Sequence, residues 1–472
     1  MNAQPQAVTE PRPDLAGLLR KQRAAFQTHV PNYAARMDDL ARLRSAFKQR
    51  MDAFIAAMSA DFGRRSRHES ILSDGFTVLH EIDHIRANLR RWMRPVHRAA
   101  SWQFWPARGE LRYQPLGVVG VIAPWNYPVN IALVPLASAL GAGNHVLLKP
   151  SEHTPRTGEL LKSFLAELFP EERVATVLGG PDIAAEFAAL PLDHLFFTGS
   201  TQVGRLVMQA AAPNLTPVTL ELGGKSPTLI ADDYPIEKAA GRIAAGKFIN
   251  AGQTCIAPDY VLLSKARIAP FVDALRRYVT GRYDQPAASA DYTSIVNERQ
   301  YRRLRGYLDE ARARGAEVIE LGAHDDAARV LAPTIVLNAP DDTKLMQDEI
   351  FGPILPLVEA ESLESALAYV NARPRPLAFY LFDEDRARTE RVLRQVTAGG
   401  VAINDTVLQF AQLELPFGGV GPSGMGSYHG HQGFLTFSKE MPVFYQARFS
   451  SLALLRPPYR GYADRLLRFL TR

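Results

Sequence analysis

The chain holds a single cysteine, Cys255, in the segment Asn250-Ala251-Gly252-Gln253-Thr254-Cys255-Ile256-Ala257-Pro258. Small residues and Gly252 precede the thiol and Pro258 follows it. Such a loop can expose a side chain and bring backbone N–H groups beside it, and a thiolate stabilised by such donors is a nucleophile near neutral pH. One cysteine excludes an intramolecular disulfide and a cysteine-rich metal site. Taken alone, the segment equally fits a buried cysteine that fills a loop.

Other segments offer partners for this thiol. Glu221 follows the apolar run Val218-Thr219-Leu220 and precedes Gly223-Gly224. A carboxylate at a strand end faces the crevice where α/β sheets bind ligands and can serve as a general base. Asn126 is held between Pro124 and Pro128, and its amide can donate to an oxyanion. Gly199, Ser200 and Gly204 follow the apolar strand His194–Phe197, with Thr201 where a dinucleotide fingerprint has its middle glycine. The first N–H groups of a helix starting there suit a pyrophosphate. The acid that such a fingerprint carries about 20 residues onward would be Glu221, which the base reading claims, so the ordinary fingerprint does not fit cleanly. Lys149 and Glu152 close a strand and can address a ribose. Glu349, before Phe351-Gly352-Pro353, is an acid in a tight turn. Each of these segments alone reads as a turn or a surface charge.

One motif points elsewhere. His80-Glu81-Ile82-Asp83-His84 matches H-E-x-x-H, which on a helix puts two histidines on one face for zinc and would make the chain a metallohydrolase. No third-ligand motif follows soon after. Ordinary exposed or capping positions on a helix are the competing explanation. His429 and His431 read as packing or solvent-facing residues.

These residues need elements to position them. Residues 15–95 read as helices, with apolar residues at helical spacing in Leu40-Leu43-Phe47-Met51-Phe54-Ile55-Met58 and a second run over Leu72–Met93. Trp102–Trp105 and Glu110–Tyr113, separated by Pro106–Gly109, predict a hairpin. From Gly117, apolar strands alternate with helices: Val118–Ile122, His145–Lys149, Val174–Leu178 and His194–Phe197 as strands, and Val129–Leu140 and Pro155–Leu168 as helices, with a further loop and helix over Gly199–Ala211. After Gly223 a second alternation covers Ile236–Ala251, Tyr260–Leu263, Ile268–Tyr278, Tyr301–Arg314, Glu317–Ile319, Ala332–Leu337 and Leu363–Asn371. Continuous apolar strands between helices indicate parallel sheets covered on both faces. The expected fold class is therefore α/β, with two Rossmann-like doubly wound domains and a small β element that includes Pro442–Tyr445.

Composition agrees. The 472 residues are 47% hydrophobic and 22% charged, with a formal charge of +5, as in a globular chain and unlike a disordered or coiled-coil one. Basic and acidic residues are interleaved, so no nucleic-acid partner is expected. Met1–Asp14 reads as a flexible arm without a secretory signal. The most apolar stretch, Val118–Leu148, is broken by Pro, Gly and Asn, so no transmembrane segment is expected and the protein is expected in the cytoplasm. The basic, amphipathic tail Arg456–Arg472 is expected to pack on the protein or a partner subunit, with contact to an anionic membrane as the alternative.

In their order, Pro124–Pro128, Lys149–Glu152, Gly199–Gly204, Glu221–Lys225, Gly252–Cys255, Glu349–Pro353 and Pro416–Gly419 resemble the NAD(P)-dependent aldehyde dehydrogenase superfamily. Pro422–Gly430 resembles its short class 3 branch, and Leu111–Gly117 with Leu455–Tyr459 looks like bacterial coniferyl aldehyde dehydrogenases. The resemblance implies that Cys255 attacks the aldehyde, that Asn126 and the Cys255 N–H hold the oxyanion, and that Glu221 activates water against the thioester. It implies that Gly199, Ser200 and Gly204 approach the pyrophosphate of the dinucleotide, Lys149 and Glu152 its adenosine ribose, and Glu349 and Phe351 its nicotinamide end. Glu152 would crowd a 2′-phosphate, which favours NAD; Lys149 leaves NADP open. Tyr428 stands where many longer members have Glu, so no relay role carries over.

The implied organisation is a dinucleotide-binding domain over residues 1–96 and 117–222, a catalytic domain over 223–414, and a bridging element over 97–116 and 415–472. A homodimer is implied, and exposed Trp102, Phe104 and Trp105 suit one. The expected substrate is coniferyl or a related aromatic aldehyde, with medium- or long-chain aliphatic aldehydes as the alternative.

Overall fold

The computed structural model describes residues 12–283, 285–448, 450, 455–459 and 461–471. Most of the expected N-terminal arm, and parts of the basic tail, lie outside the described residues. The fold is the expected α/β arrangement: two mainly parallel sheets, each flanked by helices, and a small antiparallel sheet.

The first sheet contains β3 (Val118–Ile122), β4 (His145–Lys149), β5 (Val174–Thr176), β6 (His194–Thr198), β7 (Val218–Glu221) and β15 (Gly424–Met425), in the order β15-β7-β6-β3-β4-β5. β3 to β7 are parallel; β15 pairs antiparallel with β7, setting Gly424 opposite Glu221. Every residue of β3, β4 and β6 is buried, as a sheet covered on both faces requires. The order reverses between β3 and β6, so the switch-point crevice opens beyond Ile122 and Thr198.

The second sheet contains β8 (Pro227–Ile230), β9 (Tyr260–Leu263), β10 (Glu317–Glu320), β11 (Thr334–Leu337), β12 (Ile354–Glu359), β13 (Ala378–Phe382) and β14 (Gly400–Ile403). Its order is β10-β11-β12-β9-β8-β13-β14, with only β10 antiparallel. The third sheet is β1 (Val96–Arg98), β2 (Arg108–Pro115) and β16 (Ser438–Tyr445), with β2 in the middle.

Three expectations change. The hairpin is formed by β1 and β2, Val96 opposite Leu111. Trp102–Phe104 form a 3-10 turn, because the N–H groups of Phe104 and Trp105 return to the carbonyls of Ser101 and Trp102, and Pro106 has no N–H to offer a ladder. The helix expected through Ala251 stops at Phe248, since Asn250 and Ala251 take left-handed backbone angles. The helix expected from Leu72 begins as a π-helical turn, Ile71–Phe76, before Thr77–Trp92.

Candidate active site

The loop bearing Cys255 is built by backbone strain held with hydrogen bonds. Asn250, Ala251 and Gly252 lie at φ 52°, 51° and 73°. A non-glycine residue there costs about 1–3 kcal/mol and persists only where its surroundings over-determine it. They do so here. The Asn250 N–H donates to Glu69 at 2.9 Å, and its amide donates to the carbonyls of Asn126 and Gln253 at 3.0 and 3.1 Å. The Gln253 amide donates to Asn250 and Ser294 carbonyls and accepts from the Val296 N–H. Gly252 is required by space as well, because a Cβ there would lie 2.3 Å from the Gly352 carbonyl oxygen.

Asn126 is fixed from the opposite side. Its carbonyl accepts from Arg65 at 2.9 Å, and its amide donates to the Gln253 carbonyl at 3.2 Å, two residues before the thiol. Arg65 is paired with Asp74 at 2.8 Å, both side chains fully buried. Asp74 also accepts from the N–H groups of Val129 and Asn130 at the start of the helix Asn130–Ala142. Tyr127 meets Thr254 at 2.6 Å. The turn after β3 that carries Asn126 and the loop that carries Cys255 are thereby one hydrogen-bonded unit.

Cys255 is partly exposed and lines an apolar cavity of about 160 Å3. Leu72, Phe76, Tyr127, Ile131, Ile256 and Phe410 supply much of its wall. Burial raises the thiol pKa above its ordinary value, and the carboxylates of Glu349 and Glu221 raise it further; the backbone N–H groups of Cys255 and Ile256 act in the opposite direction. Those N–H groups are the donors the sequence suggested.

Glu221 ends β7 fully buried, and neither carboxylate oxygen has a hydrogen-bond partner. Desolvation alone holds its pKa well above the usual carboxylate range. Glu349 is likewise raised by burial, to about 8, with the Gly224 N–H opposing, and its Oε1 has no partner. Its carboxylate packs against Gly223, where a Cβ would meet Oε2 at 2.3 Å. Phe351 follows at φ 50°, its ring edge-on to Trp125 at 5.2 Å.

The expected cofactor residues lie at the first sheet's crevice. Lys149 ends β4 at 1% side-chain exposure, with only the Pro150 carbonyl at 3.3 Å and Glu152 at 3.5 Å. Burial lowers its pKa. Gly199 hydrogen-bonds the Glu221 carbonyl across the sheet, and Ser200 caps the helix Thr201–Ala211 by accepting from the Val203 N–H. Gly204 is buried, and a Cβ there would lie 2.6 Å from Leu222, so it lets the helix close on the sheet.

The family model for the aldehyde dehydrogenase family matches residues 17–442. The chain belongs to this family. It is 52% identical over 454 residues, 96% of this chain and 95% of the relative, to a probable coniferyl aldehyde dehydrogenase of Pseudomonas aeruginosa. Its fold matches a substrate-bound Staphylococcus aureus AldH with a TM-score of 0.93 at 36% identity, covering 98% of this chain and 100% of that one. A Mycobacterium tuberculosis aldehyde dehydrogenase complexed with NAD+ matches with a TM-score of 0.82 at 27% identity, covering 93% and 91%.

Several residues of this aldehyde dehydrogenase site went unread in the sequence. Arg65 stands in Gly63-Arg64-Arg65-Ser66-Arg67, which reads as a solvated charge run. Glu69 is raised to about 7 by burial. Lys247 is fully buried, its ammonium unpartnered and lowered to about 8 by desolvation; only its place eight residues before Cys255 hinted at it. Tyr428, to which the sequence assigned no role, is buried, and Glu221, Cys255 and Glu81 add to the burial that raises its pKa. The H-E-x-x-H histidines part company: His80 is exposed and stacks on Phe76, while His84 packs against Trp92 and faces Glu414 at 3.5 Å. Among the described residues no three His, Cys, Asp or Glu side chains converge on a metal position, and no helix is long and apolar enough to cross a membrane.

Proposed function

We propose that this chain oxidises an aromatic aldehyde to its carboxylic acid with NAD(P)+, using Cys255 as nucleophile. The observation that carries the reading is the position of Cys255, open to an apolar cavity and within electrostatic reach of two buried carboxylates with unpaired oxygens. Sulfur attack on the carbonyl carbon moves an electron pair onto oxygen. The Asn126 amide and the Cys255 N–H are the donors suited to that oxyanion, and one such donor contributes about 100-fold or more. The thiol proton leaves to solvent, to which Cys255 is partly open. A nicotinamide dinucleotide held there would supply the hydride acceptor, and Cys255 would then carry the acyl group as a thioester. Glu221 takes a proton from the water that attacks this thioester, which frees the acid and restores the thiol.

The residues present fit the dinucleotide. Lys149 is a buried cation with only long contacts, Glu349 has an unpaired oxygen, and Ser200 opens a helix whose N–H groups suit phosphate. Gly199 and Ser200 would meet the pyrophosphate, Lys149 and Glu152 the adenosine ribose, and Glu349 and Phe351 the nicotinamide end. Residues 1–96 with 117–222 would hold the dinucleotide and 223–414 the nucleophile.

Phe76, Tyr127 and Phe410 in the cavity wall suit an aromatic body, and coniferyl aldehyde is the first choice. The aliphatic lining from Leu72, Ile131 and Ile256 favours medium- or long-chain aldehydes second. The bridging element 97–116 and 415–472 is read as a homodimer contact. Trp102, Trp105 and Phe444 are 57%, 67% and 54% exposed, and among the described residues β16 has a free edge, both liabilities that a partner subunit removes.

The test is NAD+ and NADP+ reduction across aromatic and aliphatic aldehydes, beside Cys255→Ala. The variant should lose turnover by on the order of 10,000-fold or more. Full turnover by that variant would refute the nucleophile assignment.

A further inference from the structure

Beside the apolar cavity lies a second, small chamber. Its volume is about 10 Å3, room for one water molecule or hydroxyl group. The two share Phe76, Thr77, Asn130, Phe410 and Ala411 as walls. The small chamber is lined in addition by His80, Glu81, Val134, Leu413 and His429; of its polar residues His80 is exposed, while Glu81, Asn130 and His429 are 1%, 2% and 3% exposed. Each of these three presents a buried polar atom without a partner: Glu81 Oε2, Asn130 Oδ1 and His429 Nδ1.

These side chains are already oriented. Glu81 Oε1 accepts from the Gly430 N–H at 2.8 Å, and the Asn130 amide donates to the Ser73 carbonyl at 2.7 Å. The His429 ring packs edge-on against Phe410 at 4.6 Å and lies stacked on Phe417. Burial keeps His429 neutral, with a pKa of about 3. What remains unpaired is two oxygen acceptors and one imidazole nitrogen. The Phe410 carbonyl takes the N–H of the neutral His429 ring, so its Nδ1 is an acceptor too. Leaving such groups unpaired costs about 1–3 kcal/mol each, so the chamber favours an occupant that donates, as a hydroxyl does. An ammonium would have to shed its water to pass an apolar cavity.

We propose that this chamber is a hydroxyl-recognition subsite, in which Glu81, Asn130 and His429 bind the ring hydroxyl of an aromatic aldehyde whose carbonyl lies at Cys255. The inference rests on the aromatic-aldehyde reading above. It gives the H-E-x-x-H segment a use through Glu81 alone, the one member of the motif that is buried in the chamber wall.

The experiment compares kcat/KM for 4-hydroxycinnamaldehyde with that for cinnamaldehyde, which lacks only the ring hydroxyl. The unaltered protein should favour the hydroxylated aldehyde by about 10-fold or more. Glu81→Gln keeps an amide oxygen for the Gly430 N–H but turns an N–H2 toward the chamber. It should bring the ratio toward unity, with the change in KM more than in kcat. Equal efficiency on the two aldehydes by the unaltered protein would mean that a water molecule fills the chamber; it would overturn the subsite and leave the aromatic-aldehyde reading standing. An unchanged ratio in Glu81→Gln would also overturn it. Oxidation of hexanal with neither aromatic aldehyde accepted would overturn both.

Discussion

The loop around Cys255 and the crevice facing it differ in how their polar atoms are used. In the loop, the side-chain N–H groups of Asn250, Gln253 and Asn126 donate to backbone carbonyls across three segments, and Asn250 Oδ1 alone of these amides is buried without a partner. In the crevice, both oxygens of Glu221 and one of Glu349 are buried without a partner. An unpaired buried group is costly, so an arrangement that concentrates such groups in one place and pairs them in the next separates two jobs. The paired atoms hold the nucleophile still; the unpaired ones are left for what enters.

That contrast can be broken from either side. Removing a donor beside the thiol should have the largest effect: Asn126→Ala is expected to lower kcat by about 100- to 1,000-fold, measured by NADH formation at saturating aldehyde. A loss confined to KM would show that Asn126 only shapes the pocket. On the crevice side, Lys149→Met should weaken NAD+ binding by about 10- to 100-fold, followed by fluorescence titration, with kcat at saturating cofactor changed much less. Unaltered affinity would remove Lys149 from the cofactor site. The smallest effect concerns Glu69, which holds the Asn250 N–H. Its folded pKa of about 7 lies above its ordinary value of 4.5. Its stabilising contribution is therefore full below about pH 4.5 and lost as pH rises through about 7. Glu69→Gln should reduce the fall in Tm between pH 5 and pH 8 by about 2 °C, read by calorimetry. Parallel curves for the two proteins would deny the linkage.

The same contrast explains what the sequence disclosed. Apolar runs such as Val118–Ile122 and His145–Lys149 marked buried parallel strands, and β3 and β4 have those bounds. Cys255, Glu221, Asn126 and Glu349 stood out because their types suit the chemistry and glycine or proline flanks them. The supporting shell was hidden. Arg65 and Asp74 are nine residues apart in a charged stretch, and nothing in that stretch tells a buried ion pair from surface charge. The left-handed turn at Asn250–Ala251 was equally hidden, because helical periodicity runs through it until tertiary hydrogen bonds override it. β13, in Leu377–Phe382, was legible as an apolar run and was not placed among the predicted strands. Gly204 satisfied a spacing pattern, and its neighbour is Leu222, a contact that spacing alone does not disclose.

The central claim is that one thiol carries the acyl group and one buried carboxylate releases it. Mixing Glu221→Gln protein with NAD+ and coniferyl aldehyde, quenching in acid and weighing the Cys255 peptide tests it directly. The account predicts a burst of NADH no larger than the enzyme concentration and an acyl adduct on Cys255 that persists. An unmodified Cys255 peptide from a variant with undiminished turnover would contradict it.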